Sequence, residues 1–199
     1  MSASRDPVLM TSDPGAGYRS RKRQVLAAIE AALDGGQFIL GENVTAFEEE
    51  FSTWMGGGLT VGLANGTDAV ELCLRAAGVQ DGDWVAVPTH TAVATATAVM
   101  RAGARPVFID IDATSYTIDP DALEEACRKP PHGRRLKAVV PVHLYGHPCD
   151  LDRLAAIAAD HGLAMIEDCS QAHGATWRGR KVGTFGIAAA FSCYPTKNL

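Results

Sequence analysis

The sequence has few of the features that mark membrane, secreted or nucleic-acid-binding proteins. No apolar run approaches the roughly 18 residues that a membrane-spanning helix requires. Residues 1–17 are rich in Ser, Asp, Pro and Gly and lack the apolar core of a signal peptide. The net charge of −5 gives no reason to expect a nucleic-acid partner, since such proteins generally carry a basic face. We therefore expect a cytoplasmic protein with no membrane or nucleic-acid partner and with a disordered segment 1–17.

Cysteine is too sparse and too widely spaced to suggest a metal or redox site. The five cysteines stand at positions 73, 127, 149, 169 and 193, an odd number without a Cys-x-x-Cys pair. His143 and His147 are four residues apart, which would suit a metal on a helix, but Gly146 and Pro148 disfavour a helix there. We expect reduced, packed cysteines, hydrogen-bonded loop histidines and no metal site.

What the sequence does contain is a regular alternation of short apolar strands and amphipathic helices. Its 199 residues, 47% hydrophobic and 21% charged, suffice for one sizeable core and are too few for two full domains. The alternation predicts an α/β fold, a mostly parallel sheet sandwiched by helices, with ligands at the carboxyl ends of the strands. Strands are predicted at 59–63, 84–88, 106–109, 137–142, 164–167 and 187–192, and helices around 25–33, 44–54, 67–77, 93–101, 120–127 and 151–157.

The first motif with chemical potential joins a predicted strand to a predicted helix. In Asn65-Gly66-Thr67 the glycine lets the backbone approach an anion, the free N–H groups of the first helical turn point at it, and the Thr67 hydroxyl adds a donor. An ordinary helix N-cap with nothing bound explains the same residues. The motif is therefore either a phosphate cradle or a cap.

Two further motifs follow predicted strands. Asp168 ends an apolar strand, where a partly dehydrated carboxylate needs a cationic partner such as a protonated pyridine nitrogen, although a cap or an ion pair is an alternative. Lys197 stands five positions after Ser192, and its amine either serves as a covalent catalyst or extends to solvent. Together with the phosphate cradle, these groups are the protein parts that a pyridoxal phosphate enzyme needs.

In this order and context the motifs resemble the nucleotide-sugar aminotransferases of the DegT/StrS type, a family of fold-type I pyridoxal phosphate enzymes. The resemblance covers almost the whole chain, through the segments 36–41, 64–69, 106–110, 141–146, 166–168 and 191–199. It implies that residues 18–199 form the large, cofactor-binding domain of that fold. Since relatives continue further, into a small C-terminal domain, we expect this large domain to be truncated and the small domain to be absent.

The resemblance implies pyridoxal 5′-phosphate as the cofactor and Lys197 and Asp168 as the catalytic residues. Lys197 would bind the cofactor covalently and serve as the catalytic base, and Asp168 would pair with the pyridine nitrogen. A related branch has histidine in place of the lysine and catalyses dehydration, so Lys197 places this chain with the aminotransferases. Relatives usually carry a ring-stacking aromatic residue where this chain has Ala92, and His90 is a candidate replacement.

The remaining cofactor contacts implied by the resemblance surround the ring and its phosphate. Gln171 would hydrogen-bond the ring hydroxyl, and Gly66, Thr67 and Ser192 would hold the phosphate. No metal ligand is implied.

The reaction implied by the resemblance is transfer of an amino group from an amino acid, glutamate, to a keto carbon of a nucleotide-linked sugar by a homodimer. The product would serve aminosugar, antibiotic or surface polysaccharide biosynthesis. A non-catalytic regulatory or interaction protein on the same scaffold is the alternative. A nucleotide-dependent oxidoreductase is disfavoured because the Gly-x-Gly-x-x-Gly fingerprint is missing.

Overall fold

The computed structural model describes residue 13 and residues 15–130 and 133–198. The helices in this part of the chain are α1 (Gly15–Asp34), α2 (Glu42–Met55), α3 (Gly66–Ala76), α4 (Val93–Arg101), α5 (Pro120–Arg128) and α6 (Leu151–His161). The strands are β1 (Trp84–Pro88), β2 (Arg105–Ile109), β3 (Leu136–Val139), β4 (Ala164–Asp168), β5 (Thr176–Trp177), β6 (Arg180–Lys181) and β7 (Ala188–Ala190). None of the described helices is both long enough and apolar enough to cross a membrane.

Five parallel strands form the central sheet, in the order β2-β1-β3-β4-β7. Val85 and Val87 of β1 belong to the core that contains Leu74 of α3 and Val99 of α4, whereas Ala86 belongs to the core of α5 and α6. Successive side chains of a strand point to opposite faces, so the two cores lie on the two faces of the sheet. The predicted α/β fold, a parallel sheet sandwiched by helices, is confirmed.

Side-chain caps explain why two of the helices begin where the sequence predicts. The carboxylate of Asp119 accepts a hydrogen bond from the Asp121 N–H at 2.8 Å, and Pro120 occupies the first turn of α5. The carboxylate of Asp150 accepts from the Arg153 N–H at 3.1 Å at the start of α6. Each cap satisfies an N–H group that the helix itself cannot pair.

The predicted strand 59–63 is wrong. These residues have no regular structure, and Leu59 and Val61 are 100% and 69% exposed. An alternating apolar sequence becomes a strand only where a neighbouring strand supplies hydrogen bonds, and none of the described residues does so here. The sequence also gave no sign of the β5–β6 hairpin, whose turn residues Arg178 and Gly179 both have positive φ.

The N-terminal helix is the least buried element of the described chain. It begins at Gly15, so residues 15–17 are helical, while the rest of the segment 1–17 that was expected to be disordered lies outside the described residues apart from Asp13. No side chain of α1 is buried. Leu26, Ile29 and Leu33 form its apolar repeat and are 48%, 51% and 58% exposed.

Candidate active site

All six residues predicted to form a site line a single cavity of about 230 Å³. They are Gly66, Thr67, Asp168, Gln171, Ser192 and Lys197. The cavity lies where β4 and β7 end and α3 begins, which is the carboxyl edge of the parallel sheet. Loops that follow adjacent parallel strands converge at this edge, which is where ligands are expected in such a fold.

The start of α3 offers backbone donors to the cavity. The Asn65 side chain accepts from the Asp68 N–H at 2.9 Å, and the Asn65 carbonyl accepts from the Ala69 N–H at 3.1 Å. The N–H groups of Gly66 and Thr67 have no acceptor among the described residues. Asn65 is therefore a true N-cap, yet two first-turn donors and the positive end of the helix dipole remain available to an anion.

Gly66, Ser170 and Ser192 lie close together beside this helix end. A Cβ atom at Gly66 would lie 2.9 Å from the Ser192 Cβ and 3.3 Å from the Ser170 Oγ, so a larger residue would fill the space that the two serines face. Two hydroxyl groups thus stand next to the free N–H groups of α3. The geometry fits a phosphate, and it adds Ser170, which sequence reasoning missed although it lies in the same acidic turn as Asp168.

Asp168 is a buried carboxylate that no cation of the described chain neutralises. It is 5% exposed, and its two oxygens accept hydrogen bonds from the Thr95 hydroxyl at 2.9 Å and the Ser170 N–H at 3.1 Å. Thr95 is in turn 2.9 Å from the Thr91 hydroxyl. A buried charge is costly without a counter-charge, so a protonated ring nitrogen in the cavity would compensate it. Thr91 and Thr95 were not predicted.

Gln171 is oriented by the loop that follows β3. Its Oε1 accepts a hydrogen bond from the Tyr145 N–H at 2.8 Å. With the acceptor used, the amide nitrogen is the group left to donate into the cavity. That orientation suits the predicted hydrogen bond to a ring hydroxyl.

Lys197 is half-buried on the cavity wall. Its backbone N–H donates to the Tyr194 carbonyl at 2.7 Å, and its Nζ forms no hydrogen bond or ion pair with any described residue. Burial lowers the pKa of the nearby His173, and the positive charge of Lys197 lowers it further. An amine that is not committed to a partner is free to react with a carbonyl compound.

The ring-stacking position contains no aromatic side chain. Ala92 lines the cavity, but His90 does not. His90 is exposed and contacts the rings of Tyr116 and Tyr145, at centroid distances of 6.3 and 6.0 Å. Nothing in this arrangement gives His90 the stacking role for which it was a candidate.

The two histidines of the loop after β3 have different surroundings. His143 is fully buried and pairs through Nε2 with Glu167 at 3.0 Å, whereas His147 is exposed. Ligand atoms of His143, Glu167 and Cys169 lie within 4.8 Å of one another, a grouping that the sequence did not predict. All five cysteines are free, and Cys149 and Cys169 are buried. Cys193 is exposed, so the expectation that the cysteines are packed is wrong for this one.

The chain is similar to known proteins in sequence and in fold. The sequence model of the DegT/DnrJ/EryC1/StrS aminotransferase family matches residues 19–199, which confirms the predicted resemblance. The chain is 46% identical over 187 residues to the erythromycin biosynthesis sensory transduction protein EryC1 of Saccharopolyspora erythraea, covering 94% of this chain and 50% of that protein. It is 43% identical over 187 residues to dTDP-3-amino-3,4,6-trideoxy-alpha-D-glucose transaminase of Streptomyces venezuelae, covering 94% and 48%.

A solved structure extends the similarity to three dimensions. The crystal structure of S. venezuelae DesV in complex with a ketimine intermediate superposes with a TM-score of 0.89 at 41% identity. The match covers 98% of this chain and 51% of that one. The chain therefore spans about half the length of the curated relatives that it matches.

Proposed function

Because the chain belongs to the DegT/DnrJ/EryC1/StrS aminotransferase family, we propose that its residues 18–199 form the cofactor-binding domain of a pyridoxal 5′-phosphate-dependent sugar aminotransferase. The observation that carries the proposal is the meeting of an uncommitted lysine amine and an unneutralised buried carboxylate in one cavity. Lys197 and Asp168 are 29 positions apart in sequence, and the pairing of β4 with β7 brings them together.

The cavity offers a partner for each functional group of pyridoxal 5′-phosphate. The N–H groups of Gly66 and Thr67 and the hydroxyls of Ser170 and Ser192 suit the phosphate. The carboxylate of Asp168 suits the ring nitrogen.

Gln171 and Lys197 supply the remaining two contacts to the cofactor. The Gln171 amide nitrogen suits the ring hydroxyl, and the Lys197 amine suits covalent attachment to the aldehyde. We infer that these residues fit the cofactor that the family implies.

The residues of the chain then have distinct tasks in transamination. The cofactor, when bound, supplies the electron sink. Asp168 would hold a proton on the ring nitrogen, and the hydrogen bonds from Thr95 and Ser170 keep its carboxylate oriented for this. Lys197 Nζ would hold the cofactor covalently and, when not attached to it, would be the base that moves the proton of the donor's α-carbon.

For the substrates we propose glutamate as the amino donor and a nucleotide-linked keto sugar as the acceptor. Support comes from the relative named a dTDP-amino-sugar transaminase, which is 43% identical over 94% of this chain. The product would be an aminosugar nucleotide for an antibiotic or a surface polysaccharide. We further propose that the complete enzyme is a homodimer.

Cofactor trapping tests the assignment of Lys197. The purified chain is incubated with pyridoxal 5′-phosphate, reduced with borohydride, digested and mapped by mass spectrometry. We expect the reduced cofactor on Lys197 and its loss in Lys197→Ala. Lys137→Ala, which removes an exposed lysine of β3, is the matched control and should retain the label. A label on another lysine, or none, would contradict the proposal.

A regulatory protein on the same scaffold is a second candidate, favoured by the name of the relative EryC1, a sensory transduction protein. The presence of Lys197 and Asp168 in one cavity favours the enzyme. An activity assay of a protein of the relatives' length, loaded with the cofactor at Lys197, distinguishes the enzyme from the regulatory protein. If it formed no aminated product from any of a panel of keto-sugar nucleotides and glutamate, the regulatory candidate would gain support.

A further inference from the structure

A second carboxylate of β4 lies beside Asp168 but belongs to the other face of the sheet. Glu167 is 0% exposed. Its neighbours two positions away, Met165 and Cys169, pack in the core of α5 and α6, whereas Asp168 contacts Thr95 of α4. Side chains alternate along a strand, so Glu167 points away from the cavity. No role in the cofactor site is assigned to it by the family resemblance or by its position.

Four donors surround the Glu167 carboxylate. Oε1 accepts from the N–H groups of Phe185 at 2.7 Å and Gly186 at 2.8 Å, and Oε2 accepts from the Gly183 N–H at 2.7 Å and the His143 ring at 3.0 Å. Burial raises the pKa of Glu167, but the hydrogen bonds from His143, Gly183 and Gly186 outweigh it and hold the pKa below its ordinary value. Three backbone groups of residues 183–186 are thus directed at one negative charge.

His143 is oriented to donate to this carboxylate. Its Nδ1 accepts from the Cys149 N–H at 3.1 Å, so the ring proton lies on Nε2 and points at Glu167. Both imidazole nitrogens and both carboxylate oxygens are therefore occupied by hydrogen bonds. This argues for a structural cluster rather than a metal site at His143, Glu167 and Cys169, in spite of their close approach.

The loop that Glu167 binds leads directly into β7 and the cofactor cavity. A Cβ atom at Gly186 would collide with the Met165 carbonyl, which also accepts from the Ile187 N–H at 2.9 Å, so the loop lies tightly against β4. The strand that follows pairs Glu167 with Ala189 and Asp168 with Ala190.

The pairing register matters because a shift by one residue turns every side chain of a strand to the opposite face. After β7 come Ser192 and Lys197, both of which line the cavity with Asp168. A slipped β7 would move the Ser192 hydroxyl away from the helix end that it faces. Short strands are weakly specified by their own hydrogen bonds, and β7 has three residues.

We propose that Glu167 is a positioning residue of the cofactor site: its carboxylate fixes residues 183–186, and thereby the register of β7 on β4 that sets Ser192 and Lys197 opposite Asp168. The roles of Ser192 and Lys197 rest on the proposed function. The register itself does not, and it can be measured without any cofactor.

The test compares Glu167→Gln with Leu123→Ala. Glutamine has nearly the same shape, but its amide nitrogen cannot accept the two N–H groups directed at one of the oxygens. Leu123 is a buried residue of α5 that does not line the cavity and makes no hydrogen bond to residues 183–186, so its truncation destabilises the fold while the hydrogen bonds of Glu167 stay in place. Amide hydrogen exchange of the cofactor-free proteins should show a local loss of protection at residues 183–190 in Glu167→Gln alone. Equal protection of this segment in both variants would overturn the proposal.

Cofactor binding gives the second readout, at a temperature at which both variants remain folded by circular dichroism. We expect pyridoxal 5′-phosphate to bind Glu167→Gln about 10- to 100-fold more weakly, the range known for losing a residue that orients a metal ligand, and to bind Leu123→Ala with unchanged affinity. If Glu167→Gln bound the cofactor with unchanged affinity, Glu167 would stabilise the fold but would not position the cofactor site. If wild-type protein binds no cofactor, the proposed function fails while the exchange experiment still decides the register.

If Glu167→Gln does not fold, His143→Asn provides the test. The shorter asparagine can still accept from the Cys149 N–H but withdraws the donor that the Nε2 of His143 directs at Glu167, and the carboxylate keeps its three backbone partners. The same local loss of protection at residues 183–190 is expected, at a smaller size. Wild-type exchange in this segment would overturn the proposal.

Discussion

At the scale of single residues, the chain buries charge that it does not itself neutralise. Asp168 is almost fully buried and has hydrogen bonds, but no cation among the described residues pairs with it. Such a group lowers the stability of the empty protein and strengthens the binding of a cationic ligand. The same feature therefore has opposite effects on the free energy of unfolding and on ligand affinity, and a variant can separate the two.

We predict that Asp168→Asn stabilises the cofactor-free protein and weakens cofactor binding. The asparagine oxygen can accept from the Ser170 N–H while its amide donates to Thr95, whose hydroxyl can turn toward Thr91. The free energy of unfolding should rise by on the order of 1 kcal/mol, because a buried unpaired charge is removed. Chemical denaturation without and with pyridoxal 5′-phosphate measures both effects. Asp160→Asn, on the exposed part of α6, is the control and should behave as wild type. If the cofactor stabilised Asp168→Asn as much as it stabilises wild type, the prediction would be contradicted.

A second residue-scale prediction concerns the close approach at the start of α3. In Gly66→Ala the new methyl group would meet Ser192 and Ser170 at 2.9 to 3.3 Å, in the space assigned to the phosphate. The dissociation constant of pyridoxal 5′-phosphate, measured by absorbance titration, should rise about tenfold or more. A tenfold rise corresponds to a loss of about 1.4 kcal/mol of binding free energy. Gly17→Ala, where nothing lies within 4 Å, should leave the affinity unchanged. Equal affinities in the two variants would argue against a phosphate at Gly66.

At the scale of elements, the sequence was informative where a segment's own pattern decides its structure. The strand 84–88 and the helix 93–101 were predicted with the bounds that the structure shows, because each has a continuous apolar or amphipathic pattern closed by turn residues. The segment 59–63 has the same apolar character but no neighbouring strand in the described chain. A two-residue strand such as β5 is too short to show any periodicity. Pairing partners, which sequence patterns do not reveal, account for both errors.

The N-cap of α6 allows an element-scale prediction with a closely matched control. Asp150→Ala removes the side chain that satisfies the Arg153 N–H, and it should lower the free energy of unfolding by about 1 kcal/mol. Asp152→Ala removes the same charge from the same first turn, but breaks only an exposed ion pair with Arg178, so its effect should stay below about 0.5 kcal/mol. Urea denaturation of both variants measures the difference. If both cost the same, the helix dipole rather than the cap would explain the effect of Asp150.

At the scale of the whole molecule, the site depends on which strands are neighbours. Gly66, Thr67 and Asp168 were predicted from their own segments, because they stand at the start of a helix or the end of a strand, and Lys197 was predicted from its place five positions after Ser192. The family resemblance added the roles of Gln171 and Ser192. Ser170, Thr91 and Thr95 were not predicted, because their contacts arise only when the order β1-β3-β4-β7 brings α4 and the acidic turn to one cavity. The buried contact of Glu167 with residues 183–186 was hidden for the same reason. Sequence motifs predicted the chemical groups of the site, and the sheet order determines which side chains orient them.

The exposed apolar face of α1 leads to a prediction about the behaviour of the 199-residue chain in solution. Leu26, Ile29 and Leu33 share one helix face and are each about half exposed, and burying such a side chain is worth about 1.5–3 kcal/mol. We therefore expect the chain to associate as its concentration rises and to bind a hydrophobic dye. Replacing all three residues with glutamine should reduce both effects in light scattering and dye fluorescence, with little change in stability because none is buried.

The control for this prediction adds the same polar group to other sides of the helix. Ala27→Gln with Ala31→Gln alters positions about 100° or more around the axis from Leu26, given 3.6 residues per turn, and leaves the apolar repeat intact. This double variant should associate as wild type does. If the triple variant associated as strongly as the control, the attraction between molecules would have to come from another surface, and the exposed residues Phe38, Ile39 and Leu40, at 73–81% exposure, would be the next to replace.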